Sequence, residues 1–227
     1  MEQDTRRGGV MKGTRQARSD RSREHILQAA LDLAVEHGYQ GTTMAAVSAA
    51  SGLPIGSVYW HFKNKEQLFV ALLEHCYEVW MEIHAAPEGL RRKLSRGITG
   101  LTGADPEQYT KEEALLKAAT VWALSKRLGG LGEDSEVRAA YLRMRAEMFK
   151  VNVRRIAESL PDEVTERFPD MPAKLTVLSL AVTDGFFVHA NSEVHLDLDF
   201  GEYADLAARA LEGLVDDFAR RAAEERR

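Results

Sequence analysis

The chain has 227 residues, enough for one large domain or two small ones. Hydrophobic residues make up 44% and charged residues 29%, which excludes disorder over the whole length, and the single cysteine, Cys76, excludes an intrachain disulfide. No apolar run reaches the ~18 residues of a membrane span, and the N-terminus has no apolar segment of a secretory signal. We therefore expect a cytoplasmic protein without a membrane partner.

Positive charge is concentrated in the N-terminal part of the chain. Residues 1–65 carry nine Lys or Arg and six Asp or Glu, whereas the remaining residues carry 21 and 29, so a net charge of +3 is followed by one of −8. A basic N-terminal segment followed by an acidic remainder suggests that only the N-terminal segment binds a polyanion. The segment 1–20 is polar and aperiodic, which predicts a flexible basic tail. The alternative is an arm that contacts a DNA phosphate or the minor groove.

The rest of the chain has the apolar spacing of helices, and no segment alternates long enough to require a strand. The first helix covers the apolar residues of 26–34 and ends near Gly38. A hydroxyl of Thr42 or Thr43 can cap a second helix, which ends at Gly52. A third helix follows, and Asn64 caps a fourth. These and later helices are predicted over about 55–62, 65–85, 87–99, 111–128, 134–160, 173–191 and 200–220. The sequence therefore predicts an all-α fold of about nine helices.

The segment Thr43–Lys65 carries the most specific pattern. Two short helices joined by the three-residue turn Gly52–Pro54 predict a helix-turn-helix. Small or apolar residues stand where the helices must pack: Ala46, Ala50, Gly52, Leu53 and Val58. An ordinary helical hairpin is the alternative. The third helix, however, has hydroxyl and aromatic residues at Ser57 and Tyr59–His61, which is typical of a helix that enters a major groove.

The run TTMAAVSAASGLPIGSVYWHFKNKEQLFVALLE resembles the DNA-binding signature of the TetR/AcrR family of transcriptional regulators. The resemblance covers about residues 25–73, and Tyr59–Lys65 is its most specific part. It implies a homodimer whose N-terminal domain binds a palindromic DNA operator and whose C-terminal domain binds a small molecule and dimerises. The expected organisation is a flexible tail (1–20), a DNA-binding domain (21–66) and a ligand-binding and dimerisation domain (67–227).

The resemblance also assigns roles in DNA binding. The assigned residues are Thr43, Ile55, Gly56, Ser57, Tyr59, Trp60, His61 and Lys65. Thr43 would bind a phosphate at the start of the second helix. The segment 55–57 would face base edges, with Gly56 permitting close approach. Tyr59, His61 and Lys65 would hold phosphates and position the helix.

Two aromatic residues of the third helix have other expected positions. Trp60 has two interpretations, partial packing beneath the recognition helix and a contact in the DNA groove, of which we favour packing. Phe62 is expected in the core.

The sequence of the C-terminal half predicts binding residues less specifically. A bulky residue at helical spacing more often belongs to the core than contacts a ligand. The candidates for the effector pocket are Trp80, His84, Trp122, Met144, Met148, Phe149, Asn152, Thr183 and Phe187. Aromatic and Met side chains make adaptable apolar walls, and Asn152 and Thr183 would orient the ligand. The family accepts diverse compounds, so the effector class stays open.

The last two helices are expected to form a four-helix dimer interface, as the resemblance implies. The candidates are Leu178, Val182, Gly185, Phe186, His189, Leu206, Ala210, Leu211, Leu214 and Phe218. The alternative is that both apolar stripes face the monomer's own core. The segment 183–190 also resembles the corresponding helix of regulators with a BetI-like C-terminal domain.

No pattern indicates an enzyme, a metal site or a cofactor. Phosphate-loop, nucleophile-elbow and zinc motifs are absent from the sequence, and His75, Cys76 and His84 do not share one helical face. We interpret the acidic pairs 112–113 and 216–217 as solvated helix surface. The leading hypothesis is thus a ligand-responsive repressor, with activation not excluded. The alternative is a helical adaptor protein of the same fold without specific DNA binding.

Overall fold

The computed structural model of the chain describes residues 5–84, 110–124, 132, 134–190 and 199–224. Over these residues it consists of helices without strands, which confirms the all-α prediction. The helices are α1 (Thr5–Gly41), α2 (Met44–Ser51), α3 (Ile55–His61), α4 (Lys65–Ile83), α5 (Lys111–Leu124), α6 (Glu136–Ser159), α7 (Asp162–Arg167), α8 (Met171–Ala190) and α9 (Phe200–Glu224). The helix predicted over 87–99 lies outside the described residues.

The chain divides into two compact units. Unit 1 comprises Met1–Cys76 and Ala118–Tyr141, and unit 2 comprises Tyr77–Lys117 and Leu142–Arg227. This division differs from the predicted boundary at residue 66, because the first half of α4 is assigned to unit 1. The apolar residues there, including Leu68, Phe69 and Leu72, are fully buried and contribute to the core of the helix-turn-helix region.

The core of unit 1 confirms the helical spacing predicted for α1. Ile26, Ala30 and Leu31 recur on one face of the helix and are completely buried. Burial of each large apolar side chain stabilises the folded state by about 1.5–3 kcal/mol, because the side chain is removed from water. The helix bends at Gly38, whose φ of 67° and ψ of −176° are not helical. The predicted end of the first helix is therefore visible as this break, although residues 39–41 continue as helix beyond it.

The N-terminal segment differs from the expected flexible tail. Helical backbone extends from Thr5 and is continuous with the packed part of α1. Gln16 donates to the Asp20 carboxylate at 2.9 Å, and the Ser22 hydroxyl donates to the Arg18 carbonyl at 3.0 Å. Both contacts join residues four apart, so they lie along one side of a helix. The sequence interpretation relied on missing apolar periodicity, which predicts the absence of packing but not of helix.

Unit 2 has its own apolar core around the short helix α7. Its buried members are Ile156, Val164, Met171, Leu175, Ala208 and Leu211. The Phe168 and Phe218 rings meet edge to face, 4.7 Å between centroids, against this core. The helix α8 is long and apolar enough to span a membrane by length and composition, with 33% of the tested window buried. Its Leu175 and Thr176 are fully buried, as in the core helix of a globular unit.

Candidate nucleic-acid interface and effector region

The turn between α2 and α3 is fixed by local hydrogen bonds. The Thr43 hydroxyl accepts from the Ala46 N–H at 3.1 Å and so caps α2, as predicted, while its own proton stays available to an acceptor. Gly52 ends α2 in the left-handed region, with φ at 69°, where a Cβ would be strained. The Ser48 hydroxyl donates to the Leu53 carbonyl at 2.7 Å, which ties α2 to the turn.

The helix α3 has a buried face and an exposed face. Val58 is fully buried and Phe62 is 4% exposed, which confirms both as core residues. Ile55, Tyr59 and Trp60 are 43%, 49% and 71% exposed. The favoured packing of Trp60 is therefore wrong: it lies two residues after Val58, about 200° around the helix, and so points away from the core. An exposed apolar and aromatic face of this size on a short helix indicates a binding surface.

The N-terminal end of α3 is open to close approach by a partner. A Cβ at Gly56 would meet no atom within 4 Å, so packing within the chain does not require glycine there. Ser57 is half-buried, and its N–H donates to the Pro54 carbonyl at 2.8 Å. Gly56 thus leaves the surface beside Ile55 without a side chain.

His61 is the last residue of α3 and lies next to its exposed face. Its ring contacts Trp60 edge to face, 4.6 Å between centroids. Burial lowers the pKa of His61, the Arg23 cation lowers it further, and Asp20 opposes the shift. The imidazole is therefore neutral at pH 7 and can donate one hydrogen bond to a phosphate.

Lys65 begins α4, beside the turn that follows the recognition helix. Asn64 caps α4 as predicted, because its side-chain oxygen accepts from the Gln67 N–H at 2.8 Å. The Lys65 ammonium donates to the Gln40 carbonyl at 3.3 Å and lies 4.2 Å from the centroid of the Tyr39 ring. Burial lowers the pKa of Lys65. In this arrangement the Lys65 ammonium already has partners within the protein, although the resemblance assigns it to a DNA phosphate.

Two of the effector candidates, Trp80 and His84, form a buried cluster in unit 2. Their rings are stacked with centroids 4.4 Å apart, and the His84 Nδ1 lies 2.7 Å from the Trp80 carbonyl oxygen. A carbonyl only accepts, so Nδ1 carries the proton. The His84 Nε2 then faces the Glu113 carboxylate at 3.6 Å, and the Arg155 guanidinium lies 5.7 Å from the Trp80 ring centroid.

Glu113 corrects the interpretation of the pair 112–113 as solvated surface, since its side chain is only 7% exposed. Its carboxylate accepts from the Thr110 N–H and its N–H donates to the Thr110 hydroxyl, both at 3.3 Å. This reciprocal pair is a capping box, and the spacing Thr-x-x-Glu was visible in the sequence. It turns Glu113 back over the start of α5 and so into the cluster.

A second charged cluster in unit 2 went unrecognised in the sequence. Asp184 on α8 accepts from the Lys117 ammonium at 2.5 Å and from the Arg145 guanidinium at 2.6 Å. Lys117 also donates to the Thr183 hydroxyl at 3.2 Å. Burial raises the pKa of Asp184, but the two cations outweigh it and hold the carboxyl below its ordinary pKa. The partners are 39 and 67 residues apart in sequence, so no local motif indicates them.

The remaining effector candidates are spread over both units. Met144, Asn152 and Thr183 are buried in unit 2, while Met148, Phe149 and Phe187 are half-buried there. Trp122 belongs to unit 1, where its ring lies 6.2 Å from Phe69 and 6.3 Å from Tyr39. Trp122 is therefore assigned to a different unit from Trp80 and His84.

The interface candidates of α8 and α9 divide by exposure. Leu178, Leu206 and Leu214 are 43%, 51% and 40% exposed, and Gly185, His189 and Ala210 are exposed with them. Val182 and Phe186 are half-buried. Leu211 and Phe218 instead face the core of unit 2. Each helix thus has one face inside the unit and one apolar face outside it.

Comparison with known proteins agrees with this geometry. Residues 26–72 match the family described as "Bacterial regulatory proteins, tetR family". The HTH-type transcriptional repressor NicS of Pseudomonas putida is 32% identical over 100 residues, which cover 44% of this chain and 42% of NicS. The HTH-type transcriptional repressor AcnR of Corynebacterium efficiens is 43% identical over 88 residues, covering 39% and 44%. The chain thus spans about two-fifths of the length of the curated relatives it matches.

Solved structures extend the likeness in fold to most of the chain. A transcriptional regulator from Rhodococcus sp. Rha1 superimposes with a TM-score of 0.62 at 20% sequence identity, covering 85% of this chain and 95% of that protein. At this identity the likeness concerns the fold.

Proposed function

We propose that this chain, which belongs to the TetR family of bacterial regulatory proteins through its N-terminal helix-turn-helix domain, is a cytoplasmic, ligand-responsive transcriptional repressor. It binds a palindromic DNA operator as a homodimer, and a small molecule in the C-terminal region releases it. The observation that carries the proposal is the exposed face of α3, with Ile55, Tyr59 and Trp60 outward while Val58 and Phe62 anchor the helix.

The recognition helix reads DNA mainly through shape and apolar contact. Ile55 and Trp60 have no charged groups, so they suit thymine methyl groups and flat base edges rather than bidentate contacts to guanine. Thr43, with its free hydroxyl proton, and Tyr59 and His61 donate to phosphates and set the register of α3. Specificity then depends in part on how readily the operator deforms.

The dimer forms through the outward apolar faces of α8 and α9. Leu178, Leu206 and Leu214 are exposed on the subunit, and Gly185 and Ala210 beside them allow close helix approach. A twofold axis between such faces pairs each helix with its copy and sets the two recognition helices at successive major grooves, about 34 Å apart.

The effector binds in unit 2 beside Trp80 and His84. This cluster offers a stacked aromatic wall with the Glu113 carboxylate and the Arg155 guanidinium close by. Asn152 and Thr183, both buried in unit 2, are the further polar candidates. Trp80 and His84 lie at the C-terminal end of α4, and the same helix begins at Lys65 beside the recognition helix. An effector that shifts α4 therefore changes the spacing of the two recognition helices and shifts the population away from the DNA-binding form.

Binding of the purified protein to DNA from upstream of its own gene tests this proposal. The expected result is a complex of one dimer per site that prefers this fragment to a scrambled one and weakens steeply with salt. The variant Y59A/W60A should fold normally and lose the preference. Equal affinity of the wild-type protein for both fragments would favour the adaptor function instead.

A further inference from the structure

The segment that contains α2 and α3 lacks the positive charge that DNA binding normally requires. Residues 26–62 contain no Lys or Arg, and Asp32 and Glu36 give this segment a net charge of −2. Affinity for duplex DNA arises largely from cations that neutralise phosphates and release counterions. The exposed face of α3 can contribute contact and register, but it cannot supply this electrostatic part.

The two lysines that follow α3 replace only a small part of the missing charge. Lys65 already donates to the Gln40 carbonyl and lies over the Tyr39 ring, and burial lowers its pKa. Lys63 contributes one exposed charge. The main source of positive charge must lie elsewhere in the N-terminal part.

The N-terminal extension of α1, residues 5–23, has the required charge. It contains seven Lys or Arg and a single acidic residue, Asp20, a net charge of +6. Arg18, Arg21 and Arg23 are exposed, and Arg18 and Arg21 follow one side of the helix because they are three residues apart. Residues 5–25 at 1.5 Å each extend for about 30 Å, close to the length of one turn of duplex DNA.

Contacts of Arg23 place this extension beside the recognition helix. Its guanidinium lies 5.7 Å from the centroid of the Phe62 ring, directly after α3. Arg23 and Asp20 are also near enough to His61 to change its pKa, although burial has the larger effect. The C-terminal part of the extension, around Asp20 and Arg23, therefore lies beside the end of α3.

We infer that the N-terminal extension of α1 is a phosphate-binding surface that supplies most of the electrostatic affinity of this protein for duplex DNA. This inference rests on the proposed function and adds to it a division of roles. The face of α3 selects the sequence, and the extension provides affinity that is independent of sequence.

The test measures the salt dependence of DNA binding for three full-length proteins. They are the wild type, the variant R15Q/R18Q/R21Q, and the control K150Q/R154Q/K174Q, which loses three exposed charges from unit 2. Gln has nearly the helix propensity of Arg, so the helix is retained. The ligands are the upstream fragment and a scrambled duplex of equal length.

The expected result is a smaller salt dependence for the extension variant alone. The slope of log K against log salt falls by ~0.9 for each phosphate contact that is lost, up to about 2.7 per subunit. The preference for the upstream fragment over the scrambled one stays within about threefold of the wild-type ratio, because phosphates carry no sequence information. The variant R15K/R18K/R21K, which keeps the charges, should retain the wild-type slope.

Other results separate the failure of this inference from that of the proposed function. An unchanged slope in R15Q/R18Q/R21Q, with the wild type still preferring the upstream fragment, overturns the inference alone. If the wild-type protein does not prefer the upstream fragment, the proposed function is contradicted. The salt dependence of binding to scrambled DNA, compared between the wild type and R15Q/R18Q/R21Q, still tests the role of the extension. If the triple variant does not fold, the single variants R18Q and R21Q are measured instead. Each should lower the slope of log K against log salt by ~0.9, and an unchanged slope would overturn the inference.

Discussion

The helix-turn-helix segment and unit 2 are both helical, but the contacts that build their sites differ in sequence separation. They are local in the first and long-range in the second. The Thr43 cap, the Gly52 turn and the exposed face of α3 all arise within 20 residues. In unit 2, the Lys117–Asp184 contact joins residues 67 apart. A site made by local geometry can be predicted from a sequence motif, whereas a site made by tertiary packing needs the structure.

The first and largest prediction contrasts the two faces of α3. Phe62→Ala removes a buried ring and should lower the free energy of unfolding by about 3–5 kcal/mol. Trp60→Ala should change it by less than about 0.5 kcal/mol, because the ring is 71% exposed, yet weaken operator binding by about tenfold or more. Denaturant unfolding and fluorescence anisotropy with labelled DNA measure the two effects. Similar stability losses in both variants would remove the distinction between the faces.

The second prediction concerns the charged cluster that only the structure reveals. Asp184→Asn leaves Lys117 and Arg145 without their shared carboxylate and should cost roughly 2–4 kcal/mol of stability, somewhat less than for a fully buried pair. The control Asp216→Asn changes an exposed carboxylate on α9 and should cost less than about 0.5 kcal/mol.

This stability difference depends on pH in a defined direction. The pKa of Asp184 lies below its ordinary value in the folded chain, so its contribution is present above the unfolded pKa and is lost as the pH falls through the folded one. Equal stability of the Asp184→Asn variant and the wild type at pH 7 would show that the cluster does not stabilise unit 2.

The third prediction separates the outer faces of α8 and α9 from other exposed apolar surface. Leu206→Glu places a charge in the proposed interface and should raise the dimer dissociation constant by about 100-fold. Leu142→Glu is the matched control, because Leu142 on α6 is 41% exposed compared with 51% for Leu206. Sedimentation velocity over a concentration series distinguishes them. Dimers of unaltered strength in the Leu206→Glu variant would place the interface elsewhere.

The fourth and smallest prediction concerns His61 at the end of the recognition helix. Burial and the Arg23 cation lower the pKa of His61, so the free protein holds it neutral at pH 7. A phosphate beside the ring raises that pKa, and DNA binding then takes up a proton. Affinity should therefore rise, by less than about tenfold, as the pH falls from 7.5 to 5.5. The ratio of wild type to His61→Gln isolates this effect from the other histidines, and a constant ratio would mean that His61 touches no phosphate.

Much of the fold could be predicted from the sequence because the helix ends carry local signals. Asn64 caps α4 and Gly52 ends α2 as the sequence indicates. The position of Trp60 was predicted wrongly, because Tyr59 and His61 were assigned to the DNA and Trp60 cannot share their face. Its offset of about 200° from Val58 nevertheless turns it away from the core. Glu113 was misplaced for a different reason, since its capping box with Thr110 was not recognised. The Asp184 cluster could not be predicted, because its partners come together only through packing.

Selection of binding sites from a random DNA pool by the purified protein, followed by sequencing, tests whether the exposed face of α3 selects a DNA sequence. We expect enrichment of a twofold-symmetric motif whose half-sites are about one helical turn apart. The Y59A/W60A variant should enrich no motif at the same protein concentration. Wild-type protein that retains DNA without enriching any sequence would contradict the proposed operator recognition, because the exposed face of α3 would then select no sequence.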